Sequence, residues 1–219
     1  MDDRKITIPL LRRLPSYLEY LKSLPEDGPA AISSTVLAKE LGYGEVTVRK
    51  DLAAVSGGGR RKVGHLKKDL IRNIEDLLDY GNTFRAVLVG TGKLGRALLD
   101  YVGFEEAGFN VMAGFDTEPC VDISESGKPI YPISRLEHFC RHYDVHIGVI
   151  AVPAESAQQV CNSLIACGVR AIWNFAPVHL QVPEYVIVQS ENLAVSLTSL
   201  RVQLKRRNTE LETTINQVI

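Results

Sequence analysis

One stretch constrains the fold more than any other. In "FRAVLVGTGKLGRALLDYVG" (84–103) a near-continuous apolar run leads into Gly90-x-Gly92-x-x-Gly95 and then into a helical pattern. A strand without alternation is one covered on both faces, as in parallel sheets. The first glycine permits a tight turn, the second lets the backbone approach a pyrophosphate, and the third lets helix and strand pack closely. The loop Gly90, Thr91, Gly92, Lys93, Leu94 and Gly95 is therefore the candidate pyrophosphate site, at a helix N-terminus whose free N–H groups favour anions. A second strand, "FNVMAGFD", ends in Asp116, roughly twenty residues on, where an acid accepts from both ribose hydroxyls. A 2′-phosphate beside Asp116 would be repelled, so NAD(H) is expected rather than NADP(H).

The alternation continues. "ISRLEHFCRHY" and "ESAQQVCNSLIACG" read as helices, and "VHIGVIAVP", "VRAIWNFA" and "EYVIVQS" as strands. That order predicts a doubly wound sheet, whose strand ends face one crevice. Val152 and Pro153 in "AVPA", and Asn174, Phe175, Ala176 and Pro177 in "NFAP", end two of these strands. Such apolar, proline-stiffened backbone suits an adenine or nicotinamide face and offers no acid, base or nucleophile. Tyr101, six residues past Gly95 on the same predicted helix, is either a half-buried core residue or a ligand-facing one. Hydride transfer needs a proton donor near the nicotinamide, and His179 is the one histidine near a strand C-terminus. No catalytic residue is assigned.

About eighty residues precede this domain, and their pattern is different. "PLLRRLPSYLEYLKSL" has leucines at helical spacing, with Pro15 placing the helix start near Leu14 or Pro15. In "ISSTVLAKELGYGEVTVRKDLAAV" (32–55), Ser33 or Ser34 caps a short helix carrying Val36, Leu37 and Leu41 inward, and Gly42 ends it. A second helix from Glu45 to Val55 buries Val48, Leu52 and Val55. Two short helices across a glycine turn form a helix-turn-helix. "SGGGRRKVGH" (56–65) then reads as a hairpin with a basic tip, the wing of a winged helix. Residues 46–68 hold seven basic side chains against one acid, within a chain of net charge −1, a candidate phosphate footprint. The candidate DNA contacts are Ser33, Ser34, Glu45, Thr47, Arg49 and Lys50, with Arg60, Arg61 and Lys62 on the wing. "LKKDLIRNIEDLLDYGN" (66–82) is an amphipathic linking helix.

The expected architecture is α/β: a winged-helix domain over 1–82, a Rossmann domain over 83–190, and a C-terminal dimerisation helix over 191–219. In that helix Leu193, Leu197, Leu200, Leu204, Leu211, Ile215 and Val218 form a heptad-like seam, which suits a symmetry mate. So short a segment cannot build a substrate domain. Cys120, Cys140, Cys161 and Cys167 show no CxxC or partnered histidine spacing, so no metal site is expected and the thiols read as reduced. Cys120, just past the ribose-side strand, is a candidate redox-sensing thiol. No signal sequence and no run of about eighteen apolar residues is seen, so a cytoplasmic protein without membrane contact is expected.

Taken together, "RRLPSYLEYL", "VRKDL", "RRKVGH", "VGTGKLGRALLDYVGF", "AGFD", "GVIAVPAESAQQV" and "NFAPVHLQVP" resemble the Rex family of redox-sensing transcriptional repressors over nearly the whole chain. The resemblance implies a homodimer that holds a palindromic operator when NADH is scarce and leaves it when NADH accumulates. It implies that Tyr101 helps to sense the nicotinamide and that the terminal helix is exchanged between subunits. This chain departs from the family pattern at Glu45, Gly58 and His65. It also has Asn192 in place of an aspartate that pairs with the arginine matched here by Arg13. A small NAD-dependent oxidoreductase and a CoA-binding domain of the ligase type are the alternatives.

Overall fold

The computed structural model describes residues 6–56 and 64–218. The chain divides into two units, Met1–Asn82 and Thr83–Ile219. In the first, helix α1 (Ile8–Ser23) is capped by Thr7, whose hydroxyl accepts from the Leu10 N–H, and it runs through Pro15. The expected start near Leu14 or Pro15 is therefore corrected. Pro15 removes one backbone donor, but Leu10, Leu14, Tyr17, Leu18 and Leu21 are all buried along one stripe, and continuous apolar burial outweighs the lost bond.

Strand β1 (Ala31–Ile32) leads to α2 (Ser34–Leu41), and α3 (Glu45–Ser56) follows across the turn. Ser33 is the cap of α2, accepting from the Val36 N–H, and Gly42 ends it at φ 69°. Leu37 and Ala38 face the core, whereas Val36 is exposed, contrary to the sequence expectation. The cap fixes the helix rotation, and Val36 lies one residue off the buried stripe. Strand β2 (His65–Leu66) pairs antiparallel with β1, and α4 (Lys67–Leu77) closes the unit with Leu70 and Ile74 in the core. The expected wing tip, including Gly58, Arg60, Arg61 and Lys62, lies outside the described residues.

The second unit opens with β3 (Phe84–Val89), α5 (Lys93–Leu99), α6 (Gly103–Glu106) and β4 (Phe109–Asp116). Next come β5 (Ile130–Pro132), a 3-10 turn (Ile133–Arg135), α7 (Leu136–Tyr143), β6 (Ile147–Ile150), α8 (Ala154–Ala166), β7 (Ala171–Asn174), β8 (Ile187–Ser190) and α9 (Leu193–Val218). All six strands are parallel, in the order β5-β4-β3-β6-β7-β8. Renumbered within the sheet this is 3-2-1-4-5-6, the dinucleotide-binding order, with its switch point between β3 and β6. Strand β5 and helix α6 have no counterpart in the sequence reading, because elements of three and four residues carry no readable period.

Residues from α7 and α8 pack on one face of the sheet with Val87, Val89, Phe115 and Ile150. On the other face Leu99 and Phe104 cover Ala86, Leu88 and Val111. That cover stops short of the β6-β7-β8 side. An apolar basin of about 330 Å³ remains, lined by Phe104, Val149, Trp173 and Ile187 among others.

Candidate functional site

The crevice begins where β3 ends. Gly90 adopts φ 98°, and its N–H donates to the Phe115 carbonyl at 2.8 Å. A Cβ there would lie 2.6 Å from the Ala151 carbonyl oxygen, so a side chain is refused both by conformation and by space. At Gly95 a Cβ would overlap the Gly90 carbonyl, which is how α5 lies against the loop. Gly92 differs from both. It is the N-cap of α5 with no side-chain cap bond, and nothing lies within 4 Å of where its Cβ would be. The first N–H groups of α5 therefore have no side-chain cap, which leaves them available to an anion. Lys93 and Leu94 are exposed beside them.

Asp116 binds the loop as well as facing the crevice. Its Oδ2 accepts from the Thr91 N–H at 2.6 Å and the Thr91 hydroxyl at 3.0 Å. Oδ1 accepts over longer distances, from the Glu118 N–H at 3.3 Å and the Thr117 hydroxyl at 3.4 Å. Burial pushes the carboxyl pKa up, but the bonds donated by Thr91, Glu118 and Thr117 outweigh it and hold the group below its ordinary value. The carboxylate stays charged, and Oδ1 is the oxygen with weaker commitments.

The remaining strand ends divide into positioning and lining groups. Asn174 is fully buried. Its Nδ2 donates to the Ala176 and Val178 carbonyls, and its Oδ1 accepts from the Ala176 N–H. The side chain assigned to the pocket therefore shapes the 174–177 loop from within, and Ala176 is buried with it. Phe175 is half-buried and Pro177 exposed. Val152 is half-buried, with its Cγ1 beside Gly90, and Pro153 stands exposed at the start of α8. Tyr101 is not on the first Rossmann helix: α5 stops at Leu99, and Asp100 turns out to accept from the Ser126 N–H and hydroxyl. Tyr101 follows in the turn before α6, exposed, with its ring 4.9 Å from Phe104.

In the first unit α3 presents Glu45, Thr47, Arg49 and Lys50 to solvent. Glu45 already accepts from the Thr35 hydroxyl at 2.9 Å. Ser33 is engaged in capping, and Ser34 is half-buried. Two members of the 46–68 charge run leave the footprint. Lys67 is buried, donating to the Pro25 carbonyl. Asp51 is buried on the inner side of α3, where Arg13 grips it through two bonds of 2.7 and 2.9 Å and the Tyr17 hydroxyl donates at 2.7 Å. Sequence reading missed this triad, although Asp51 falls on the Val48–Leu52–Val55 stripe, where an acid needs a partner.

Cys140 and Cys161 are buried thiols, and burial pushes Cys140 up to about 12. Cys120 is exposed. Among the described residues no group of three or more His, Cys, Asp or Glu could hold a metal ion, and no helix is long and apolar enough to cross a membrane.

A helix-turn-helix unit joined to a dinucleotide-type α/β unit defines a DNA-binding regulator with a built-in nucleotide crevice. Residues 5–53 match the family described as the N-terminus of DNA-binding proteins, and residues 82–178 match the CoA binding domain family. A redox-sensing transcriptional repressor Rex from Porphyromonas gingivalis is 40% identical over 204 residues, covering 93% of this chain and 94% of the relative. The crystal structure of the Rex-family repressor RSP with β-NADH has a TM-score of 0.83 at 29% identity, over 95% of this chain and 98% of that one. RSP in complex with β-NAD+ and operator DNA gives 0.82 at 29% identity, over 95% and 97%. The chain belongs to the Rex family of redox-sensing transcriptional repressors.

Proposed function

We infer that this chain is a cytoplasmic, NADH-responsive repressor that holds operator DNA at low NADH and releases it when NADH binds. The observation that carries this is Gly92, whose open cradle lies at the switch point beside a charged Asp116. The Gly90–Gly95 loop and the first turn of α5 would take the pyrophosphate, and Asp116 Oδ1 the adenosine ribose. Phe175, Pro177, Val152 and Pro153 would give the apolar walls, with Tyr101 at the nicotinamide side. Reduced and oxidised nucleotide differ by one positive charge on the nicotinamide, and apolar walls favour the uncharged ring because burying an unpaired cation is costly. On the DNA side, Arg49 and Lys50 would neutralise phosphates, while Glu45 and Thr47 face base edges.

His179, the histidine near a strand end, is exposed in the loop after β7, and the relative matched over 93% of this chain is a repressor. A repressor therefore fits better than an oxidoreductase. Leu193, Leu197, Leu200 and Leu204 are each 60–69% exposed on α9, and a second copy would cover them, forming a homodimer.

The test begins by selecting bound sequences from a random duplex pool and titrating NADH against the complex. NADH is expected to release the DNA. Asp116→Ala should bind the duplex as the parent does and need at least about tenfold more NADH, since a hydrogen bond to a charged group contributes roughly 1.5–3 kcal/mol. A complex indifferent to NADH, or an Asp116→Ala variant with parental NADH affinity, overturns the reading.

A further inference from the structure

Glu191 is the residue from which α9 leaves the sheet, and three bonds meet there. Its N–H donates to the Asn174 carbonyl at 2.8 Å. Its Oε1 accepts from the Trp173 indole N–H at 3.4 Å and from the Gln189 amide at 3.1 Å. The next residue, Asn192, caps α9 by accepting from the Ala194 and Val195 N–H groups at 3.1 and 3.2 Å. The first turn of α9 is thus fastened through one peptide to the end of β7.

Trp173 is the middle of an aromatic chain. Its ring lies 4.6 Å from Phe175 in the crevice loop and 5.3 Å from Phe104, which meets Tyr101 at 4.9 Å. An indole on an apolar surface needs a partner for its N–H, and Glu191 supplies it. Phe175 cannot shift without disturbing the ring against which Glu191 is set, because packed side chains move together.

The geometry points to Glu191 as a positioning residue that couples the 174–177 loop to the direction in which α9 leaves the sheet. Nucleotide seated against Phe175 is then felt at α9 through Trp173 and Glu191. This rests on the NADH-responsive reading above, and it assigns the coupling to a residue outside the crevice itself.

The test uses the full chain as parent, Glu191→Ala and Glu191→Gln. Three quantities are measured: NADH affinity by calorimetry, the NADH concentration that half-releases a selected duplex, and emission of Trp173, the single tryptophan. Glu191→Ala should bind NADH within about twofold of the parent yet need about tenfold more for release, which is about 1.4 kcal/mol of lost coupling. Its Trp173 emission should differ from the parent before any ligand is added and respond less to NADH. Glu191→Gln keeps an acceptor oxygen and should behave as the parent. If Glu191→Ala does not fold, Glu191→Val, which keeps bulk at that position, carries the same expectation. Release by the Ala or Val variant at the parental NADH concentration overturns the coupling, as does an equal defect in Glu191→Gln. If the parent itself ignores NADH, the functional reading fails first and the coupling with it.

Discussion

Asp51 Oδ2 receives two donors at 2.7 Å, Arg13 Nε and the Tyr17 hydroxyl. Its side chain is 8% exposed and that of Arg13 21%, so water screens the pair weakly. The Tyr17 phenol is pushed up, first by its burial and then by Asp51. Removing the carboxylate would leave a guanidinium and a buried hydroxyl without their acceptor. Asp51→Ala should therefore cost about 3 kcal/mol in urea unfolding, the usual scale for breaking a buried pair from one side. Arg13→Met with Asp51→Leu should restore much of that stability. A loss below about 1 kcal/mol in the single variant would show that the triad contributes little. In the sequence Asp51 reads only as the one acid of a basic run, and its partner is not legible at all. Which residue of α1 meets it depends on how two helices pack, and neither helix encodes that alone.

Among the elements, the β1–β2 ladder is the smallest, two residues a side, and it carries His65. The His65 ring bonds the Ser56 hydroxyl at 2.7 Å, tying the end of α3 to β2. Burial lowers the pKa of His65. The unfolded chain then takes up a proton near pH 6.5, before the folded one does. Stability from this histidine is complete above that pH and is lost as pH falls towards the folded value. The melting temperature should accordingly drop between about pH 7.5 and 5.5, and drop less in His65→Asn. Parallel pH curves for the two proteins would exclude His65 as the cause. Elements of this length mark the limit of sequence reading. Strand β3 and helix α8 announced themselves by apolar runs and helical period, whereas β5 and the turn at Tyr101 are set by neighbours. Proline was misleading in α1 because its local cost, though real, is smaller than the burial on either side of it.

At the scale of the whole molecule, Leu193, Leu197, Leu200 and Leu204 of α9 stand 60–69% exposed. The 26 residues of that helix span roughly 39 Å at about 1.5 Å each. A chain ending at residue 190 should be monomeric by sedimentation and keep measurable NADH binding, but lose tight operator binding. A truncated protein that still forms NADH-responsive dimers on DNA would refute the role given to α9. The order of modules was legible because the glycine loop carries fold and ligand information together. The same loop divides unequally between those duties. Gly90 and Gly95 answer to the chain's own packing, while Gly92 has ordinary φ and ψ of −66° and −169° and open space beside it. In genetic terms, folding and hearing would then be separable by one substitution. If Gly92 seats the pyrophosphate as proposed, an alanine there should leave a protein that grips its operator but does not let go when NADH is titrated in, and an inducible repressor would lie one codon from a permanent one.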